Sequence, residues 1–379
     1  MQLFWIWLAT RPGMGAERKR ALLEMFSDPQ EIYRETEFPG VSSRAVKGLR
    51  DKDLSGAEEL LRRCEKSGVE PVSLVDREYP RRLREVADAP VVLYRKGTLP
   101  REDTAWVGVV GTRRATLYGM DAARQLSMEL ARCGGVVVTG MAAGVDSAAA
   151  EGALRGHGPV VGVLGCGADQ VYPAENRQLY RRVVEEGGCL LSEYPPGASP
   201  RTWSFPQRNR IISGVSDAVA VTEAPERSGA LITARMALEQ GREVFAVPGN
   251  LGQSACAGSN ALLRDGAQVV LRGWDILREY VSRYPGTLRE AAWEPEHPEG
   301  APREEKKSAP AIDKAELTDY SDLSEREKAV LALLDREGKH PDELLSQTEL
   351  PYGQMLAALT VLEIRGLAKT LPDGRKARN

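Results

Sequence analysis

Between about residues 70 and 285, short apolar runs recur, each closed by a turn residue and followed by a stretch with helical spacing. The clearest are WVGVV (106–110), GVVVTG (135–140), VVGVLG (160–165) and CLLSE (189–193). DAVAVTEA (217–224), EVFAVPG (243–249) and QVVLR (268–272) continue the series. These runs are continuous rather than alternating, which suits strands covered on both faces. Strands of that kind separated by helices predict an α/β fold. The expectation for residues 71–285 is an extended Rossmann-like, doubly wound, mostly parallel sheet.

The flanks have different patterns. Residues 1–70 read as a small helical domain, helix-hairpin-helix or SAM-like, with Pro-Gly turns in RPGMGAERKRALLEMF and FPGVSSRAVKGLR. Such turns can aim backbone N–H groups at a DNA phosphate or simply join helices in a bundle. The first copy carries Gly13 and Gly15; the second has Ser42 at the later position. Residues 286–320 are rich in Pro, Glu and Lys with few large apolar side chains, the composition of a flexible linker. Residues 321–379 regain helical periodicity in three short stretches, followed by the turn PDGRK, the outline of a winged-helix-like domain.

Composition narrows the class without choosing the partner. Lys and Arg number 51 against 54 Asp and Glu, a formal charge of −3, so nucleic acid is neither required nor excluded. The five cysteines (Cys64, Cys133, Cys166, Cys189 and Cys256) are scattered, odd in number and without a C-x-x-C pair. That usage predicts free thiols in a reducing compartment rather than disulfides or a zinc site. The apolar opening MQLFWIWLAT lacks a basic n-region, and no run approaches the roughly 20 apolar residues of a membrane helix. The expected location is cytoplasmic.

Ligands of a doubly wound sheet bind at the carboxyl ends of its strands. There the chain carries Gly111-Thr112-Arg113-Arg114 after one strand and Ser228-Gly229 at a helix start after another. Gly258, Ser259 and Asn260 follow a third. With Arg208 and Arg210 of FPQRNRIISG, these residues are expected to converge on one face as a phosphate pocket. Neither G-x-G-x-x-G nor G-x-x-x-x-G-K-[ST] occurs, which disfavours dinucleotide or ATP use. His157, His297 and His340 are the only histidines, no G-x-S-x-G is present, and no spacing suggests a metal site. Asp146 and Glu223 offer acid–base chemistry, against the plainer roles of capping a helix or orienting an arginine. Binding without turnover is the stronger reading.

GTRRATLYG, TGMAAGVDSAAAEGAL, LGCGADQVYPAENRQLY and LLSEYPPG stand in sequence with FPQRNRIISGVSDAVAVTEAPERSGALITA, GREVFAVPGN and GSNALLRDGA. Together they resemble the DNA-processing protein A family, also called Smf, over roughly residues 1–285 and into the C-terminal domain. The resemblance implies a protein without enzymatic activity or cofactor that binds single-stranded DNA regardless of sequence. It further implies protection of the strand, loading of the RecA recombinase beside or in place of single-strand-binding protein, and a homodimer, in natural transformation or recombination. The phosphate-binding positions it implies are Gly111, Thr112, Arg113, Arg208 and Arg210, with Asn209 bridging and Ser228, Gly229 and Asn260 nearby. Arginine suits the task because its planar fork grips phosphate at two points. The alternative keeps one arginine paired with Glu223 or Asp217 to hold the core.

Trp203 and Phe205, beside the arginines, are candidates for base stacking. Where the family commonly carries histidine in G-I-D-x-x-A-H, this chain has Ala150. The rival reading is a nucleotide phosphoribohydrolase of the lysine-decarboxylase-like group, whose P-G-G-x-G-T motif is broken here in VPGNLGQSACAGS. The last helical stretch, PYGQMLAALTVLEIRG, has no Lys or Arg before Arg365, which favours an accessory or protein-contact role for the tail.

Overall fold

The computed structural model describes residues 2–292, 323–335, 338–348, 350–370 and 375–378. The chain forms two compact units, Met1–Pro298 and Glu299–Asn379. Most of the expected linker, and the tip of the PDGRK turn, lie outside the described residues.

The first unit opens with α1 (Gln2–Thr10), α2 (Ala16–Phe26), α3 (Pro29–Arg34), α4 (Ser43–Arg50) and α5 (Ser55–Ser67). Helix α1 is apolar almost all round, and Ile6, Trp7 and Leu8 are buried among Leu22, Ile32, Phe38 and Leu49. Trp5 points the other way and packs with Tyr94 and Val92, so the helical bundle sits on the edge of the sheet. Gly13 has φ +79°, which only glycine adopts without strain, and a side chain there would meet Arg44 and Ala45. The first Pro-Gly turn is thus partly explained by its packing on α4, where Gly48 leaves room for Pro12.

Next come β1 (Glu70–Ser73), α6 (Arg81–Arg84), β2 (Val92–Gly97), β3 (Trp106–Val110), α7 (Leu117–Arg132), β4 (Val136–Thr139), α8 (Val145–Arg155) and β5 (Val160–Leu164). They are followed by α9 (Arg177–Glu185), β6 (Cys189–Ser192), α10 (Ser204–Val215), β7 (Ala218–Val221), α11 (Gly229–Glu239), β8 (Glu243–Ala246), α12 (Ala257–Arg264), β9 (Gln268–Val269) and α13 (Gly273–Leu277).

The sheet has nine strands in the order β1-β2-β6-β5-β4-β3-β7-β8-β9. From β6 to β9 neighbours run parallel; only β1 and β2, at one edge, are antiparallel. Every residue of β3, β4, β5, β6 and β7 is buried, because helices cover both faces. Leu126 and Leu130 of α7, Ala149 of α8 and Val183 of α9 fill one side. Leu83, Ile211, Ile212, Val215 and Ala234 fill the other. Helices α7 and α8 touch backbone to backbone: a side-chain carbon on Gly152 would lie 2.1 Å from the Arg124 carbonyl oxygen.

Among the described residues the second unit has three helices, α14 (Glu325–Leu333), α15 (Pro341–Ser346) and α16 (Tyr352–Ile364), and an antiparallel pair, β10 (Ala368–Thr370) and β11 (Lys376–Arg378). Val330, Leu344, Met355, Leu359 and Leu362 form its core. Ser324 and Glu327 cap α14 reciprocally. Among the described residues no helix is long and apolar enough to cross a membrane.

Candidate functional site

From β3 the chain builds outward through β4, β5 and β6, then α10 carries it back to lay β7 on the other side of β3. The chain therefore leaves β3 and β7 toward opposite faces of the sheet, into α7 and α11, and a cleft of about 580 Å³ opens there. This is where a doubly wound sheet leaves room for a ligand.

The turn after β3 forms one wall. A side chain on Gly111 would lie 2.5 Å from Val145 Cγ2 and 2.8 Å from the Glu223 carbonyl oxygen, so only glycine fits between α8 and the loop after β7. Thr112 is fixed at both ends: its N–H donates to the Glu223 carbonyl at 2.8 Å, and its carbonyl accepts from Val145 N–H at 3.2 Å. Arg113 is exposed and lies over the Phe205 ring, 4.6 Å from guanidinium carbon to centroid. Tyr172 packs against the same ring at 5.2 Å. The opposite wall is the start of α11, where the Ser228 hydroxyl caps the helix by accepting from Ala230 N–H at 3.3 Å. Gly229 has open space around it. Asn209 donates to the Gly229 carbonyl at 3.2 Å, which ties α10 to α11.

Arg208 lies on the floor, 3% exposed. Its Nη1 donates to the carbonyl of Gly140, at 2.6 Å, and to that of Val163. Its charge faces Asp146, whose carboxylate accepts from the N–H groups of Gly111 and Ala142. Burial raises the pKa of Asp146, and Arg208 partly offsets that. Arg208 ties the ends of β4 and β5 together, and Asp146 holds the turn that carries Arg113.

Five of the residues expected here do not join this cleft: Arg210, Trp203, Gly258, Ser259 and Asn260. Gly258 and Ser259 are buried, their N–H groups donating to the Ala224 carbonyl at 2.8 and 3.1 Å. Arg210 points to the other side of α10, where Glu193 holds it at 2.5 Å and Asp88 at 3.3 Å. Trp203 stands with it, edge-on to Tyr194 at 5.9 Å. Asn260 has both ends of its amide on the backbone of Gly249, each at 3.0 Å, and works as a loop clamp. The acidic partners also differ from expectation. Glu223 is fully buried and accepts from the Thr116 N–H and hydroxyl at 2.8 and 2.6 Å. Asp217 holds Arg82 at 2.8 Å and Trp106 N–H at 2.9 Å. Neither carboxylate meets Arg208 or Arg210, because each is needed to seat a helix or strand of its own.

One cation in the cleft, Arg227, was not singled out from sequence. Arg114 and Arg227 line it with Arg113, and among the described residues none of the three has a carboxylate within 4 Å. The available signal was position: Arg227 directly precedes Ser228, the cap of α11.

Unpaired guanidinium groups, a helix N-terminus and an aromatic wall meet at the switch point of a Rossmann-type domain, an arrangement suited to an anion. Residues 70–281 match the family model described as DNA recombination-mediator protein A, and residues 314–374 match the DprA winged helix domain. The chain belongs to this family. Protein Smf of Synechocystis is 37% identical over 316 residues, 80% of this chain and 78% of the relative. The DNA processing protein DprA of Bacillus subtilis is 40% identical over 217 residues, 57% of this chain and 73% of the relative. The crystal structure of DprA from Streptococcus pneumoniae superposes with a TM-score of 0.65 at 32% identity, covering 74% of this chain and 98% of that one. DNA processing protein A from Helicobacter pylori, described for its single-stranded DNA binding mode, gives 0.50 at 30% identity, covering 57% and 99%.

Proposed function

We propose that this chain binds single-stranded DNA without reading its sequence, using the switch-point cleft, and passes the strand to a RecA recombinase in transformation or recombination. The observation that carries the reading is the set of unpaired guanidinium groups, Arg113, Arg114 and Arg227, around the N-terminus of α11, which Ser228 caps. In a protein of formal charge −3, cations left without carboxylates at one cleft are suited to phosphates. Gly111, Thr112, Ser228 and Gly229 supply backbone and hydroxyl donors beside them, and Phe205 supplies a ring on which a base can stack. Phosphates position a strand without naming its bases, which fits sequence-independent binding. The H. pylori relative supports the choice of a single strand as ligand. Arg208, sealed beneath the cleft, acts here as a positioning residue for the Gly111–Arg113 turn.

Asp146 is engaged by Arg208 and two N–H groups, and Glu223 by Thr116, so a binding role suits these carboxylates better than acid–base work. Dimerisation, cooperation with single-strand-binding protein and a cytoplasmic location belong to the same reading. The test is binding of a labelled strand at several salt concentrations. Wild type should lose affinity as salt rises, and Arg113→Ala, Arg114→Ala and Arg227→Ala should each flatten the log–log slope by about 0.7. Slopes identical to wild type in all three would refute the cleft as the phosphate site. RecA assembly on strands coated with single-strand-binding protein, with and without this protein, tests the hand-over.

A further inference from the structure

A second opening, about 850 Å³, lies between the α1–α2 turn and the sheet edge, on the other side of α10 from the cleft. Trp203 precedes α10 and Phe205 is its second residue, so about 200° of helix rotation separates them and they serve opposite sides. Phe205 enters the cleft; Trp203 stands at the mouth of the groove, 50% exposed. A tryptophan left half in water is an unusual use of the largest apolar side chain. Its ring meets Tyr194 edge-on, and the Tyr194 hydroxyl donates to Gln207 Oε1 at 3.3 Å, which holds the platform in place.

The charges differ from those of the cleft. The ionic residues lining the groove are Lys19 and Arg210 against Glu17, Asp88 and Glu193, a balance that repels phosphate. What remains is hydrogen-bonding capacity. Arg210 and Glu193 bind each other through Nη2 and Oε2, and the Glu193 carboxylate also meets the Tyr194 side chain, while Arg210 Nη1 is buried without a hydrogen-bond partner. An unfilled donor beside an aromatic platform matches what every unstacked base carries: a π-face and an edge with acceptors.

We propose that this groove is a second subsite for the same strand, one that takes a nucleobase on Trp203 rather than a phosphate. It rests on the single-strand reading of the cleft. A strand held by phosphates at the cleft rim crosses the first turn of α10, at Thr202 and Pro206, to place a base on the far side. The subsite tolerates any base, because stacking uses the face they all share.

The experiment pairs an oligodeoxythymidylate with the same strand carrying abasic sites, both labelled, over a range of salt. Trp203→Ala should weaken binding of the intact strand about 5-fold or more, leave binding of the abasic strand unchanged and preserve the salt slope. Trp203→Phe should restore most of the loss. An equal effect on both strands, or none on either, overturns the proposal. Arg113→Ala in parallel reports on the cleft: a flattened slope there with an inert Trp203→Ala removes the subsite alone. Salt-insensitive or absent binding by wild type removes both.

Discussion

On the cleft side of α10, the helix's own arginine is sealed below the surface, and the exposed cations come from the loops after β3 and β7. On the groove side, its other arginine lies between Glu193 and Asp88, and the exposed position goes to an aromatic ring. Arg208 and Arg210 are two residues apart, yet neither is displayed to solvent as a free charge. The difference between the two sides lies in what surrounds them. Around Arg208 the neighbours are carbonyl ends and one carboxylate, so its guanidinium ties strands together. Around Arg210 two carboxylates neutralise the charge, and the groove is left with stacking surface. A paired arginine beside a cleft shapes it, whereas an unpaired one at the rim is free to bind an anion.

The comparison breaks most readily at Arg208. Replacing it with alanine removes the charge that faces Asp146 and the donor shared by the carbonyls of Gly140 and Val163. A buried polar group left without its partner costs about 1–3 kcal/mol, and here two carbonyls lose theirs, so urea denaturation of Arg208→Ala should show a large fall in stability. Arg113→Ala, at an exposed position, should stay within about 0.5 kcal/mol of wild type. Equal stability in the two variants would mean that Arg208 is no strut.

A smaller effect should come from Gly111. Alanine there collides with Val145 and the Glu223 carbonyl, and overpacking of that kind costs about 1–3 kcal/mol. The turn must shift, so strand affinity should fall while the salt slope, set by the cations still present, stays near that of wild type. Gly229→Ala, with open space around it, should change stability by no more than about 0.5 kcal/mol. If the two glycines respond alike, the cleft is more pliable than its contacts imply.

Strand periodicity made the sheet from β3 to β8 legible, because strands buried on both faces must be apolar throughout. The antiparallel edge was not. In β2, VLYRKG mixes apolar and basic residues, because one end is buried and the other half-exposed. The cleft was legible where glycine and hydroxyl residues end strands, as at Gly111 and Ser228. It was not legible at Arg210 or Asn260, whose partners Glu193, Asp88 and Gly249 are set by tertiary contact. Nor does sequence tell which side of a helix a residue serves until its start is known; placing Trp203 just before α10 and Phe205 inside it separated two residues that read as one aromatic pair.

The smallest effect expected concerns Lys19, on the groove side. It is buried with its amine donating to the Ala9 carbonyl, and burial lowers its pKa from 10.5 to about 8, against the pull of Glu193. Between those two values the folded chain binds fewer protons than the unfolded one, so this residue makes stability rise with pH. Below about pH 8 the cost of holding the amine charged is present in full. Lys19→Met removes it, so the variant's advantage over wild type should be largest below that value and shrink as the pH approaches 10.5. A difference that is flat with pH would mean the amine stays hydrated in the folded protein. The effect should be modest beside that of Arg208, because lysine's flexible stem can carry its charge toward the groove water, whereas Arg208 is held beneath the cleft by two carbonyls.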